Sequence, residues 1–486
     1  MSVMKLSGTD GRRVFTSPGY KCGCRRKDKM MVKTDKQKYE MDMCSGPILG
    51  KLLLFALPLM CSSILQLLFN AADIIVVGNY AGDNSLAAVG SNSSLINLLT
   101  NFFLGLSVGA NVLVARYRGA RQDEEVSKTV HTAMLLSIFS GILLTVIGCI
   151  GARQILTWMQ TPEDVLPLAV QYLRIYFVGM TATMLYNFGS AILRAIGDTK
   201  RPLYYLTIAG VINVILNLIF VIVCKLDVAG VAMATVISQC ISALLIVRCM
   251  MKDTGSIHLE LSGLHIDTDK FKRILQIGLP ASFQGIVFSF SNVVIQSSVN
   301  SFGAIAVAGN SAAANIEGFV YVSMNAFHQA AISFTGQNIG AAKYERINRI
   351  LCIAEGCVLV VGLLLGNLAV LFGRSLLGLY TNNPAVIDSG MIRVRIICTA
   401  YAFCGMMDVV VGSLRGMGYA VMPMIVSLIG ACGLRLIWIF TFFRMEAFHS
   451  LASLYVTYPV SWLITFLTHM VCFIIVRRKL RRVWGA

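Results

Sequence analysis

The apolar residues of this chain fall into long blocks, and a block of about 20 such residues spans a bilayer as a helix. Twelve blocks can be counted, at roughly 52–77, 88–114, 130–152, 167–191, 203–224, 228–249, 273–300, 304–335, 350–373, 391–413, 420–443 and 450–476. Within hydrocarbon every backbone N–H and C=O must be satisfied by the chain itself, so only helices and closed barrels cross. These blocks are too long for barrel strands and lack their ten-residue alternation. The expected fold is an all-α membrane protein of twelve transmembrane helices. Charge agrees, at 13% of residues against roughly a quarter in soluble domains. Most of the 14 cysteines lie inside apolar blocks, where cysteine packs as a small hydrophobe. No disulfide framework is readable.

A formal charge of +17 raises the question of nucleic acid, but its distribution points to lipid. Lys21, Arg25, Arg26, Lys27, Lys29, Lys33, Lys36 and Lys38 crowd the N-terminal tail, and Arg477, Arg478, Lys479, Arg481 and Arg482 crowd the C-terminus. With both ends inside the cell, alternate loops carry sixteen Lys or Arg, whereas the outer loops carry Arg153, Lys225, Arg374 and Arg444. That bias sets an inner-membrane, multi-pass topology with cytoplasmic termini. Cys22-Gly23-Cys24 has no partners at zinc spacing, and the tail has no apolar signal-peptide core. The residues before Met30 or Met31 differ so much from the rest of the chain that an upstream, mis-assigned start is expected.

An internal repeat organises the rest. Leu193-Arg194-Ala195-Ile196-Gly197 with Pro202 recurs as Leu414-Arg415-Gly416-Met417-Gly418 with Pro423. Leu57-Pro58 and Asn70 recur as Leu279-Pro280 and Asn292, Gly119-Ala120 as Gly340-Ala341, and Arg174 as Arg395. The offset holds at 221 or 222 across five spans. Six spans per half is even, so both halves enter the membrane the same way, and two six-helix bundles should be related by a pseudo-two-fold along the membrane normal. The expected divisions are a basic tail at 1–44, an N-lobe at 45–250, a cytoplasmic linker at 251–271, a C-lobe at 272–477 and a basic tail at 478–486.

Several stretches resemble the multidrug and toxic compound extrusion (MATE) family. They are Phe55-Ala56-Leu57-Pro58, Asn70-Ala71-Ala72-Asp73, the run from Leu193 to Pro202, and Gly336-Gln337-Asn338-Ile339-Gly340-Ala341. The likeness runs from about Lys51 to Arg478, and the branch resembled is the bacterial one named for a DNA-damage-inducible protein. The resemblance implies a V-shaped pair of bundles that exports organic cations or amphiphiles in exchange for H⁺ or Na⁺, with no cofactor and no enzymatic activity; a monomer is expected. It further implies a cation site in the N-lobe. Asp73 matches the family's first-span aspartate, Asn213 its fifth-span asparagine, Thr235 its sixth-span threonine, and Pro58 the proline at which the first span bends. Asn217 departs from the pattern, standing where such relatives carry a second aspartate.

Read as residues alone, ionisable side chains inside spans carry the most information, because charge in lipid is costly. Asp73 lies some 33 Å along its helix from Lys51 at 1.5 Å per residue, with no basic residue at a neighbouring helical position. That suits a group that takes up and releases a cation; the plainer alternative is a cap or a snorkelling side chain. Asn213 and Asn217 share a helix face, and with Asn70 and Asn187 they serve either the site or interhelical hydrogen bonds. In the C-half, Glu317 and Arg435 fall at similar depth; both are cavity candidates, and the simplest expectation is that they form a structural pair. Asp408 is expected either in the cavity or near Arg415. The polar run Ser91-Asn92-Ser93-Ser94 and Asn97 is expected to face the central cavity. A flippase for lipid-linked saccharides, from a related superfamily, is the alternative function. An ATP-driven pump is disfavoured, because Gly46-Pro47-Ile48-Leu49-Gly50-Lys51-Leu52 lacks P-loop spacing.

Overall fold

A computed structural model describes residues 39–484; most of the basic N-terminal tail, with the Met30/Met31 question, lies outside them. The first half contains α1 (Ile48–Tyr80), α2 (Asp83–Gly119), α3 (Asp123–Trp158), α4 (Leu166–Val178), α5 (Met180–Ala195), α6 (Lys200–Leu218) and α7 (Asp227–Lys252). The second contains α8 (Thr268–Asn300), α9 (Ala304–Gly340), α10 (Tyr344–Leu371), the short α11 (Gly373–Gly378), α12 (Pro384–Thr399), α13 (Tyr401–Gly416), α14 (Val421–Ser427), α15 (Leu434–Phe440) and α16 (Leu451–Trp484). The described residues contain no strand. Among the described residues, nine helical runs are long and apolar enough to cross a membrane singly, and the bent pairs α4/α5 and α12/α13 supply two more. The twelfth span is α9. At 37 residues it is ample in length, but its Ala, Gly, Ser and Asn content lowers its hydropathy. That composition follows from its place at the centre, where small residues let other helices approach.

The repeat is reproduced in the backbone. α4 and α5 meet at 47°, and their counterparts α12 and α13 at 45°. Gly82 and Gly303 open α2 and α9 at φ +84° and +88°, and Gly197 and Gly418 turn the chain into α6 and α14 at +95° and +85°. Those left-handed positions favour glycine because it has no Cβ to clash. Spans 5 and 11 each contain a π turn, at Ile219–Val223 and Leu428–Gly433, but the two do not fall at repeat-related positions.

The two halves nevertheless cross over at the end that carries the basic loops. Ile48, Leu52, Phe55, Ala56 and Leu59 of α1 belong to the hydrophobic cluster of the second half. Ile274 of α8 belongs to that of the first, and Leu264, Phe271 and Leu275 pack against it. Beyond Pro58, α1 returns to its own half, with Phe69 against Gly210 of α6. Pro58 therefore sits where the helix changes partners, and it lacks the N–H that would bond the preceding turn.

Cross-lobe contacts gather at this same end. Ser333 Oγ donates to Asn111 Oδ1 at 3.2 Å, Gln337 Nε2 to the Ala195 carbonyl at 2.7 Å, and Arg116 Nη2 to the Met417 carbonyl at 2.5 Å. At the crossing of α2 and α9 the repeat-related Gly119 and Gly340 bring backbones together. A Cβ at either would lie 2.0 Å from the Gln337 carbonyl oxygen or 1.9 Å from that of Arg116. The segment ahead of α1 lies across the joint like a strap. Glu40 pairs with Arg118 at 2.6 Å on one side. On the other, Met43 is fully buried, Asn338 Nδ2 donates to its carbonyl at 3.1 Å, and Lys343 Nζ donates to that of Cys44 at 2.8 Å. The expected linker is likewise docked rather than loose, with Ile257 and Leu259 buried in the first half.

Candidate functional site

α1, α6 and α7 converge to build the site. Asp73 comes from α1 beyond the proline, Asn213 and Asn217 from one face of α6, and Thr235 from α7. Asn217 Nδ2 donates to Asp73 Oδ1. It also lies 3.4 Å from Asn213 Oδ1, and Asn213 Nδ2 lies 3.4 Å from the Thr235 hydroxyl. The four residues expected as a cation site thus form one continuous polar network. Asn217 is its hub, although it is the position that departs from the family pattern. Asn217 Oδ1 is buried with no hydrogen-bond partner among the described residues. That leaves an acceptor oxygen beside a carboxylate, a donor set that fits a proton or a small hard cation.

The network opens into a cavity of about 150 Å³ within the first half. Asn70 and Asn187, both expected as cavity residues, line it together with Gln66, Thr183, Tyr186 and Gln239. Thr183 Oγ1 donates to Gln239 Oε1 at 2.5 Å, joining α5 to α7 on the far wall. Gln239 escaped the sequence reading, although it stands one helical turn from Thr235 in an apolar span. Among the described residues, no basic side chain lines this cavity.

The second half departs from expectation. Glu317 does not pair with Arg435. Its two carboxylate oxygens accept from Nε and Nη2 of Arg393, both at 2.7 Å. Arg393 Nη1 also donates to Asn310 Oδ1 at 2.5 Å, as does Tyr455 OH at 3.0 Å. Glu317 is thus locked in an internal bidentate pair rather than facing a cavity. Arg393 was overlooked because it lies at the polar edge of its apolar block, whereas α12 begins nine residues earlier, at Pro384. Arg435 instead donates from Nε to Ser461 Oγ at 2.8 Å, and its guanidinium stacks 4.0 Å from the Tyr458 ring centroid. Asp408 stands close to Arg415 without an ion pair, and Arg415 Nη2 donates to Gln284 Oε1 at 2.8 Å. Asn92 is buried within the first half, donating to the Ala169 carbonyl at 2.9 Å, so it does not face a central cavity. Asn97 is exposed, and the side chains of Ser91 and Ser94 lie outside the described residues.

The Glu317–Arg393 geometry carries a prediction. Breaking a buried pair from one side strands the other charge, at about 3–5 kcal/mol. Glu317→Gln should therefore lower folded yield in membranes more than Glu317→Gln/Arg393→Gln does, measured by fluorescence-detected size exclusion. Equal yields for the single and double variants would contradict it.

A family model described as MatE matches residues 58–219 and again 280–441, one copy in each half. The chain belongs to the MatE family. Among its relatives is a probable multidrug resistance protein, YoeA, of Bacillus subtilis (strain 168). It is 27% identical over 421 residues, covering 85% of this chain and 91% of that protein. An FAD transporter of Shewanella oneidensis is 25% identical, over 79% of this chain and 86% of its own. Among solved structures, a multidrug resistance MATE family transporter in an outward-facing conformation superposes with a TM-score of 0.85. It is 21% identical and covers 93% of this chain and all of that one. The MatE fold is thus present throughout both halves. As a MatE member the chain is a membrane transporter rather than an enzyme, and the two matched segments are the two copies of its repeat.

Proposed function

We propose that this MatE protein is a secondary antiporter of the plasma membrane. It exports organic cations or amphiphiles in exchange for H⁺ or Na⁺, with the basic-loop face and both termini in the cytoplasm. The reading rests on Asp73, an acidic group inside a span whose cavity holds neutral oxygens and no basic residue. An ionised carboxylate there attracts a cation, and a protonated one does not. Exchange follows if the lobes rock between a state closed at the cytoplasmic face and one open to it, each exposing Asp73 to a different side. Export by a monomer needs no cofactor beyond the coupling ion.

Efflux of a fluorescent cation from proteoliposomes, with the pH and sodium gradients imposed separately, tests this. Concentrative efflux is expected with one gradient and not without either. Efflux indifferent to both gradients would overturn the antiport reading. FAD belongs among the competitors, because a relative is named for its transport.

A further inference from the structure

Where α8 meets α14, a crevice of about 850 Å³ opens from the flank of the protein. Leu275, Leu279, Pro280, Ala420, Met422 and Ile425 make its walls almost wholly apolar. Val421 and Ile425, at 52% and 46% exposure, stand at its mouth. The lining residues of α8 lie about 10–18 Å along the helix from its start at the basic-loop end, within the hydrocarbon of that leaflet.

The inner end of the crevice is charged. Gly418 lines it, and a Cβ there would lie 2.7–3.0 Å from the guanidinium of Arg116. That guanidinium reaches the Met417 carbonyl through Nη2, while its Nε is buried without a partner among the described residues. Tyr419 of the crevice wall and Arg273 both stand within its electrostatic reach, and Arg273 also pairs through Nε with Asp269 at 2.8 Å. A buried guanidinium without a counter-charge is costly, so an anion is the chemistry this corner would hold. The repeat sharpens the point. At Gly197, the mate of Gly418, the corresponding place is filled by the backbone of Met41. The chain stops one corner with its own backbone, whereas at the other the Arg116 guanidinium meets the glycine beside the crevice.

We propose that this crevice seats an anionic phospholipid of the basic-loop leaflet, with an acyl chain between α8 and α14 and its phosphate toward Arg116 and Arg273. Polybasic surfaces attract such lipids, and this one adds a groove that can hold the chain. Because Arg116 also reaches across the lobes to Met417, the seated lipid stabilises the closed joint.

The test uses the full-length protein in phosphatidylcholine vesicles doped with phosphatidylglycerol that carries a photoactivatable diazirine on one acyl chain. Crosslinks should concentrate in peptides holding Leu275–Pro280 and Gly418–Val426. A phosphatidylcholine probe should label these peptides less. Ile425→Trp, which fills the mouth, should abolish the labelling, and Arg273→Gln should erase the preference for the anionic probe. Native mass spectrometry of the unaltered protein should show a retained phosphatidylglycerol, whatever the folding of the variants. Equal labelling by both probes, labelling that survives Ile425→Trp, or displacement by tetraphenylphosphonium would overturn the proposal.

Discussion

Asp73→Asn should abolish gradient-driven export while the protein remains folded and inserted. Asparagine keeps the volume of the side chain and can still hydrogen-bond Asn217, which faces this carboxylate directly. What it loses is the charge that alternates. Because Asn217 replaces the second carboxylate of the family pattern, Asp73 is the acidic group lining the N-half cavity, and no neighbour there can substitute for it. The measurement is cation efflux from proteoliposomes under each gradient, with size-exclusion profiles confirming the fold. Export at the parental rate with unchanged pH and sodium dependence would reject the role. The search would then move to Asp408 and to Glu355, whose two carboxylate oxygens are both buried without partners among the described residues.

A second substitution should be as damaging for a different reason. Gly119→Ala or Gly340→Ala would drive a methyl group to about 2 Å from a carbonyl oxygen of the opposing helix, and a backbone cannot turn aside as a side chain can. Overpacking of this kind costs about 1–3 kcal/mol, and here only the closed joint bears it. A difference of that size shifts a two-state equilibrium roughly 5- to 150-fold. Spin labels at the exposed, repeat-related Arg121 and Ala342, with the other exposed cysteines replaced, would report the joint. The short-distance population should disappear in the variants, and transport should fall with it. Gly356→Ala is the control, because nothing lies within 4 Å of its added methyl. Unaltered distances and transport in Gly119→Ala would show that the crossing can relax.

The sequence was informative about what repeats and less so about direction. The 221-residue offset is visible in the primary structure because each copy needs its glycine at the same left-handed turn, as at Gly197 and Gly418. Asp73, Asn213, Asn217 and Thr235 do converge, but Thr235 stood out from other threonines only through the family resemblance. Glu317 shows where such reading fails. Counting residues from a helix end gives depth in the membrane but not the side a residue faces. Arg435 follows the π turn Leu428–Gly433, and one extra residue turns everything after it by about 100°. Arg435 thereby faces Ser461 and Tyr458, leaving Glu317 to Arg393. Gln239 and Thr183 were hidden for a related reason, since the bend between α4 and α5 aims Thr183 at a wall that no periodicity predicts.

The crossing of the halves also has a bearing on how the chain is made. α1 leaves the ribosome well before the second half, yet the lower part of this helix, from Ile48 to Leu59, packs into the hydrophobic cluster of the second half. Much of that cluster is α9, which is complete only at Gly340. At about 5–20 residues per second, the first helix waits some ten seconds to a minute inside the bilayer with that face against lipid or the insertion machinery. The first half thus cannot finish maturing as a separate piece, and the newborn protein acquires its lower joint only once α9 has been made.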